Sequence, residues 1–348
     1  MAMPQRLASF LAALPLAAVL CAQEPATAPK PKPAAAAPVY DEAADARAQI
    51  AAAVAIAKRD NQRVLVQWGA NWCGWCKWLA GTMQSDEKLA RELRYEYQVV
   101  HVDVGRFDKH MDVAKELGAS WKGIPYLTVL DADGKPLTHA DTEPFETKVD
   151  GKNGHDAGKL LAFLKQHEAK PLVAADVLAA ALAQAKKEQK VAFLHFGAPW
   201  CGWCHKLEAW MARPEVAARL GKDFVDVKVD EDRMAGGMEL KKAQMAAAGP
   251  GDGGIPWFVF LDGDGKQLAH STGPQGNTGF PYQPAEVAHF VTMLQAIKKN
   301  LTDDDIAFLR QSLDDNRAAE EAARAKAKAE AAQQRAQAEK AKAESGGE

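Results

Sequence analysis

A five-residue motif occurs twice in this chain, as Trp72-Cys73-Gly74-Trp75-Cys76 and as Trp200-Cys201-Gly202-Trp203-Cys204, 128 residues apart. The flanks repeat as well: Gly69-Ala70-Asn71 precedes one copy and Gly197-Ala198-Pro199 the other. Apart from Cys21, the two motifs use every cysteine of the protein. A repeat of this length is too long for a solenoid unit and has the size of a whole domain. Duplication of one domain is therefore the simplest reading. With 348 residues, 47% of them apolar, the chain can bury two ordinary cores.

The surroundings of the two motifs run in the same order. A helical stretch, Asp41 to Arg59, leads to a strand at Val64 to Trp68 and then the first Cys pair. Leu79, Met83, Leu89 and Leu93 then recur at helical spacing. Strands are predicted at Tyr97 to Val104 and Tyr126 to Leu130, with a short helix at Asp112 to Leu117 between them. Asp133-Gly134 signals a tight turn into a returning strand, and Lys159 to His167 a closing helix. The second half repeats this with a helix at Ala174 to Glu188 and strands at Ala192 to Phe196, Phe224 to Val229 and Trp257 to Leu261. Asp264-Gly265 and a helix at Ala285 to Lys298 complete it. Strand-helix-strand units predict parallel pairing, and the Asp-Gly turns an antiparallel edge. The expected class is α/β: two domains, 41–170 and 171–300, each a mixed sheet flanked by helices.

The ends read differently. Arg6 followed by the apolar run Leu7 to Leu20, broken by Ser9, predicts an export signal, residues 1–22, cleaved after Ala22. The run is shorter than the roughly 20 residues a membrane span needs. Leu20 is not the small residue that lipidation at Cys21 requires, which speaks against a lipid anchor. Residues 23–40, rich in Pro and Ala, read as an extended linker. In residues 301–348, Thr302 caps a helix whose Ile306, Phe308, Leu309 and Leu313 can dock; beyond Leu313 the composition predicts a solvated tail. The charge balance, 43 basic against 46 acidic residues, offers no case for nucleic-acid binding.

Two cysteines three apart at a helix start can form and break a disulfide with little backbone movement. The first sulfur sits at the positive end of the helix, which favours its thiolate. Cys73 and Cys201 are thus the expected nucleophiles, and Cys76 and Cys204 the resolving thiols. A shared zinc site is the metal alternative, but such pairs are usually about 15 to 20 residues apart, whereas 124 residues separate Cys76 from Cys201. Inert structural disulfides and Cu(I) binding by a thiolate pair are further alternatives. Gly123-Ile124-Pro125 and Gly254-Ile255-Pro256 each precede a strand. A cis Ile-Pro bond there would set a bare backbone edge beside the sulfurs.

Trp-Cys-x-x-Cys after a strand, with Ile-Pro some fifty residues on, twice over, resembles the thioredoxin superfamily across about residues 45 to 300. Phe196-Gly197-Ala198-Pro199-Trp200-Cys201-Gly202-Trp203-Cys204 and Val227-Lys228-Val229-Asp230 resemble its exported bacterial branch. The resemblance implies a central sheet, cysteines as redox pairs, and Pro125 and Pro256 in cis contact with substrate backbone. Trp72, Trp75, Ile124, Trp200, Trp203 and Ile255 complete the expected substrate contacts. In thioredoxin a buried acid stands six residues before the first cysteine; here those positions hold Gln67, which cannot exchange a proton, and His195, a candidate base. Trp75 and Trp203 stand where a histidine would stabilise a thiolate by charge, which leans the pairs toward reduction.

The expected function is thiol–disulfide exchange on protein disulfides outside the cytoplasm, in a periplasmic setting. It needs no metal or organic cofactor, and its partners are disulfide-containing proteins and a redox partner the sequence does not identify. The alternative is a peptide-binding module with little turnover in one or both domains.

Overall fold

The first half runs through α1 (Ala46–Asp60), β1 (Arg63–Gly69), α2 (Gly74–Ser85), α3 (Glu87–Glu96), β2 (Tyr97–Asp103) and α4 (Met111–Glu116). It continues with β3 (Tyr126–Leu130), β4 (Pro136–Asp141), β5 (Glu146–Val149), β6 (Lys152–His155) and α5 (Ala157–Lys165). The structure, a computed structural model, describes residues 38–149, 151–249 and 253–345. The expected export signal, Cys21 and most of the linker lie outside them.

The sheet order is β2-β1-β3-β4. β1 sits at the centre because its Val, Leu and Trp residues suit a strand buried on both faces. Val64, Val66 and Trp68 point to the layer that holds α1; Leu65 points to α2, α3 and α5. Period-two alternation therefore puts Gln67 on the α2 face, beneath the first Cys pair.

β1 and β2 are parallel, as expected. β3, however, runs antiparallel to β1 rather than parallel to it. The six residues of α4 span only about 9 Å. The chain leaves β2 and enters β3 at the same end of the sheet, where Trp68 pairs with Tyr126. That turn delivers Pro125 to the end of β1 from which the Cys pair emerges.

The second half contains α6 (Ala174–Glu188), β7 (Val191–Gly197), α7 (Gly202–Met211), α8 (Pro214–Leu220), β8 (Phe224–Asp230) and α9 (Gly237–Ala248). β9 (Trp257–Leu261), β10 (Gln267–His270), β11 (Thr272–Gly273), β12 (Gly276–Asn277) and α10 (Pro284–Ile297) follow. Its sheet, β10-β9-β7-β8, repeats the first one, with β7 parallel to β8 and antiparallel to β9. Leu194 and Phe196 face α6, while Phe193 packs with α7, α8 and α10. His195, two residues on, shares the Phe193 face.

α11 (Asp303–Ser345) begins as the sequence predicts: Thr302 Oγ1 accepts the Asp305 amide at 3.1 Å. Ile306, Leu309 and Leu313 are buried against the second half. Trp210 Nε1 donates to Ser312 Oγ at 2.9 Å, pinning α11 to α7. Residues 321–339 of the helix are exposed throughout, matching their lack of large apolar side chains.

Several boundaries differ from expectation. α1 starts at Ala46 rather than Asp41, because Asp45 caps it by accepting the Ala48 amide at 2.8 Å. Helix does not run unbroken past Cys76: Asp86 ends α2 and caps α3 through the Leu89 amide at 2.9 Å. Tyr40, expected in the linker, is 1% exposed and packs with Cys73 and Cys76. The β5–β6 hairpin, whose turn uses Gly151 at φ 75°, has no counterpart among the expected elements.

Candidate functional site

Each motif places its first cysteine as a helix cap. Cys73 caps α2 and Cys201 caps α7, both with extended backbone. Cys73 Sγ accepts the Cys76 amide at 3.1 Å, and Cys201 Sγ the Cys204 amide at 3.1 Å. Gly74 and Gly202 then open the helices, so each sulfur lies where helix N–H groups are unpaired and the dipole is positive. The same donors favour a thiolate when the S–S bond opens. Both pairs are joined as disulfides, with Cα–Cα distances of 5.3 and 5.2 Å.

Ile124–Pro125 and Ile255–Pro256 are both cis, and the Ile124 carbonyl oxygen lies 3.5 Å from Cys73 Sγ. The carbonyls of the prolines are held in turn: Thr142 Oγ1 donates to Pro125 O and Asn277 Nδ2 to Pro256 O, each at 2.9 Å. Trp72 and Trp200, at 50% and 54% exposure, offer apolar surface beside the sulfurs. Trp72 Nε1 donates to Gly105 O at 2.7 Å, within its own half. Trp200 Nε1 instead donates to Asp232 Oδ2 at 2.8 Å, a carboxylate that also accepts Tyr95 OH of the first half at 2.9 Å.

The second Trp of each motif meets the residue just ahead of the helix that closes its half. Trp75 packs on His155 with ring centroids 5.6 Å apart, and Trp203 on Tyr282 at 5.6 Å. His155 is 1% exposed, neither ring nitrogen has a hydrogen-bond partner, and burial lowers its pKa to about 4. A pocket lined by Trp203, Ile255, Pro256, Asn277, Phe280 and Tyr282 lies beside the second pair.

The two sites differ most beneath the resolving cysteines. In the first, Gln67 Nε2 donates to Cys76 O at 3.1 Å and to Tyr40 OH at 2.6 Å. A Cβ at Gly69 would lie 2.2 Å from Tyr40 OH and 2.9 Å from Cys76 Sγ, so only glycine admits both. Burial raises the Tyr40 pKa, which keeps the phenol neutral. His101, paired with Gln67 across the sheet and packed edge-on against Tyr40, has its pKa lowered by burial. The polar groups beneath Cys76 are thus the Gln67 amide and the neutral Tyr40 phenol.

In the second site, His195 is 2% exposed and its Nε2 pairs with Asp226 Oδ1 at 2.9 Å. Burial alone would raise the Asp226 pKa, but His195, Arg59 and Lys228 together outweigh it and the value is lowered. A Cβ at Gly197 would lie 3.3 Å from Cys204 Sγ and 3.8 Å from Glu208 Oε1. Glu208, one helical turn after Cys204, thus places a carboxylate oxygen on the same side of Gly197 as that sulfur. The i, i+4 spacing was the available sequence signal for it. Lys228, opposite His195 on β8, lies 2.9 Å from Glu208 and 2.9 Å from Asp60 of the first half.

Among the described residues no group of three or more His, Cys, Asp or Glu side chains is placed to hold a metal ion, and no helix is long and apolar enough to cross a membrane.

Two family models match the chain. One described as thioredoxin-like matches residues 45–132. The other, Thioredox_DsbH, described as a protein of unknown function (DUF255), matches residues 155–318. Protein disulfide-isomerase erp38 of Neurospora crassa is 26% identical over 211 residues, 58% of this chain and 51% of the relative. Uncharacterized protein B0495.5 of Caenorhabditis elegans is 34% identical over 109 residues, 29% of this chain and 14% of the relative. The chain thus spans about half of the first relative's length and a small part of the second's. A disulphide isomerase structure from Xylella fastidiosa shows 29% identity and a TM-score of 0.29, covering 38% of this chain and 88% of that one. With one thioredoxin-like model on the first Cys pair and a second family model across the other, the chain belongs to the thioredoxin superfamily.

Proposed function

We propose that the protein is a thiol–disulfide oxidoreductase acting on protein disulfides outside the cytoplasm, with both Cys pairs redox-active. One observation carries the reading. Twice, a cysteine sulfur caps a helix and accepts the amide of the second cysteine, within a thioredoxin-like fold whose neighbouring loop holds a cis Ile-Pro bond. In the reducing direction, the thiolate of Cys73 or Cys201 attacks a substrate disulfide. One substrate sulfur leaves as a thiol and the other stays bound in a mixed disulfide. Cys76 or Cys204 then gives up its proton and attacks the first cysteine, releasing the second substrate thiol. The substrate gains two electrons and the enzyme pair becomes a disulfide.

Trp75 and Trp203, which lack the charge to stabilise a thiolate, favour reduction over oxidation. The backbone around Pro125 and Pro256 receives the substrate chain, with Trp72, Trp200, Ile124 and Ile255 as its apolar surroundings. Arg6 and the apolar run after it support export.

A binding role with little turnover is the second reading for the first half, because beneath Cys76 stand an amide and a neutral phenol rather than a carboxylate. Insulin reduction by dithiothreitol separates the readings. Cys73→Ser and Cys201→Ser should each lower the rate, and the double variant should abolish it. If neither single variant lowers the rate, the enzymatic reading fails. A drop with Cys201→Ser alone leaves the first half as a binding module.

A further inference from the structure

The segment that leaves the second strand of each sheet lies beside the motif Trp, and the two halves use it differently. The parallel strand pairs end at Gly69 with Asp103 and at Gly197 with Asp230, so Arg106 corresponds to Arg233 and Phe107 to Met234. In the second half Arg233 reaches across to the first, holding Glu96 at 2.8 Å and the carbonyl of Asn61 at 2.9 Å. Met234 packs on the core. In the first half Arg106 and Phe107 are both exposed. Phe107 stands edge-on to Trp72 with ring centroids 6.2 Å apart, and the Arg106 guanidinium lies 5.7 Å over the Trp72 ring.

Phe107 has φ 67°, a left-handed backbone that a bulky side chain adopts only under constraint. Val104 O supplies that constraint by accepting the amides of Phe107, Asp108 and Lys109 at 2.8, 3.2 and 3.3 Å. The fold thus holds an apolar ring in water beside the first motif. The neighbouring charges are engaged: Lys109 lies 3.1 Å from the buried Asp103, and Asp108 accepts the Arg106 amide at 2.8 Å. Among the described residues the Arg106 guanidinium forms no ion pair. Nor does the chain keep an open acceptor of the kind Arg233 uses. Asp223, the counterpart of Glu96 just ahead of β8, accepts the amides of Lys299, Asn300 and Leu301 at 2.7, 2.7 and 3.0 Å. Gln189 O, the counterpart of Asn61 O after α6, accepts Lys299 Nζ at 2.8 Å. A second copy of the chain therefore offers Arg106 no vacant partner either.

We propose that Arg106 and Phe107 form a substrate-selecting subsite of the first Cys pair, fitted to polypeptides that carry an acidic side chain beside an apolar one close to the disulfide. The inference rests on the redox reading above. The guanidinium takes the carboxylate, and Trp72 and Phe107 take the apolar side chain. The second site lacks both groups, because there the same positions hold the halves together, and Trp200 is turned to the carboxylate of Asp232. The two pairs thus favour different substrates.

The test uses the full chain with Cys21→Ser, Cys201→Ser and Cys204→Ser, reduced in advance, which leaves only the first pair. Three probes, each two peptide strands joined by one disulfide with a fluorophore on one and a quencher on the other, differ only in Glu-Leu, Gln-Leu or Lys-Leu after one cysteine. As the pair passes two electrons to the probe, the S–S bond splits into two thiols and fluorescence rises. The dependence of rate on probe concentration separates binding from the limiting rate. An exposed ion pair changes affinity by up to about fivefold, and lysine replaces attraction with repulsion. The Glu probe should therefore be favoured about tenfold over the Lys probe, in half-saturating concentration rather than limiting rate, and about 0.5 M salt should shrink the ratio. Arg106→Glu should invert the preference, which general damage to the fold does not do; if that variant does not fold, Arg106→Gln should level the three probes. Phe107→Gly, which suits the left-handed backbone, should raise the half-saturating concentration of all three about tenfold, the scale of losing one partly buried Phe contact. A parent that reduces neutral hydroxyethyl disulfide but shows a Glu-to-Lys ratio near 1, or reduces no probe, overturns the inference while the redox reading stands. So does a preference that the Arg106 variants leave in place, or a Phe107→Gly chain that binds the probes as the parent does. A parent that reduces neither the probes nor hydroxyethyl disulfide overturns the redox reading of the first pair and the inference with it.

Discussion

Arg233→Ala should loosen the join between the halves. The guanidinium makes a fork to Glu96, Nε to Oε1 at 3.0 Å and Nη2 to Oε2 at 2.8 Å. It also donates to the carbonyls of Asp60 at 2.6 Å and Asn61 at 2.9 Å, which close the C-terminal end of α1. The side chains of Arg233 and Glu96 are only 9% and 17% exposed. Removing one partner of a buried ion pair costs about 3–5 kcal/mol. Glu96 retains some access to water, so the lower end, about 3 kcal/mol, is the expected loss. Arg233→Lys should recover little, since one ammonium cannot span two carboxylate oxygens and two carbonyls. Urea unfolding of the full chain provides the assay, combined with Glu96→Gln and the double variant. The cycle should give a coupling of about 1–3 kcal/mol. A loss below about 0.5 kcal/mol in Arg233→Ala, the range of an ordinary surface change, would refute the idea that this residue ties the halves together.

Two pH effects follow from buried groups of the first half. His155 has its pKa lowered to about 4, against 6.5 ordinarily, so the unfolded chain takes up a proton that the folded one refuses. Stability should fall as pH drops from about 6.5 toward 4, and His155→Phe, which keeps an aromatic against Trp75, should remove that slope in thermal melts. Glu92 is the opposite case: burial, then the nearby Glu168, raise its pKa to about 7. The folded state holds the proton longer, so stability should fall as pH rises from about 4.5 to 7, and Glu92→Gln should abolish that fall.

The redox pairs were legible because their chemistry is local. A helix start, a cysteine cap and a cysteine three residues on lie within one short stretch, and Gly-Ile-Pro marks the facing loop. What the sequence hid depends on contacts across long separations. Lys228 meets Asp60 across 168 positions, and Tyr40 reaches the first site from a stretch that reads as linker. Nor does sequence order tell that β3 turns back beside β1, since that follows from how short a path the connection around α4 takes. Glu208 lay between these extremes: its spacing from Cys204 was visible, its burial against Lys228 was not. Gln67 and His195 marked the sites as unequal, and the structure locates more of that inequality in Tyr40 on one side and Glu208 on the other.

The central claim is that both disulfides open and close as working redox couples. Equilibrating the full chain in dithiol–disulfide buffers, and following Cys73–Cys76 and Cys201–Cys204 separately by alkylation and mass spectrometry, tests it directly. The account predicts two reversible two-electron couples between about −270 and −120 mV, the range of thioredoxin-fold catalysts. Two pairs that stay oxidised below about −300 mV, as structural disulfides do, would contradict it.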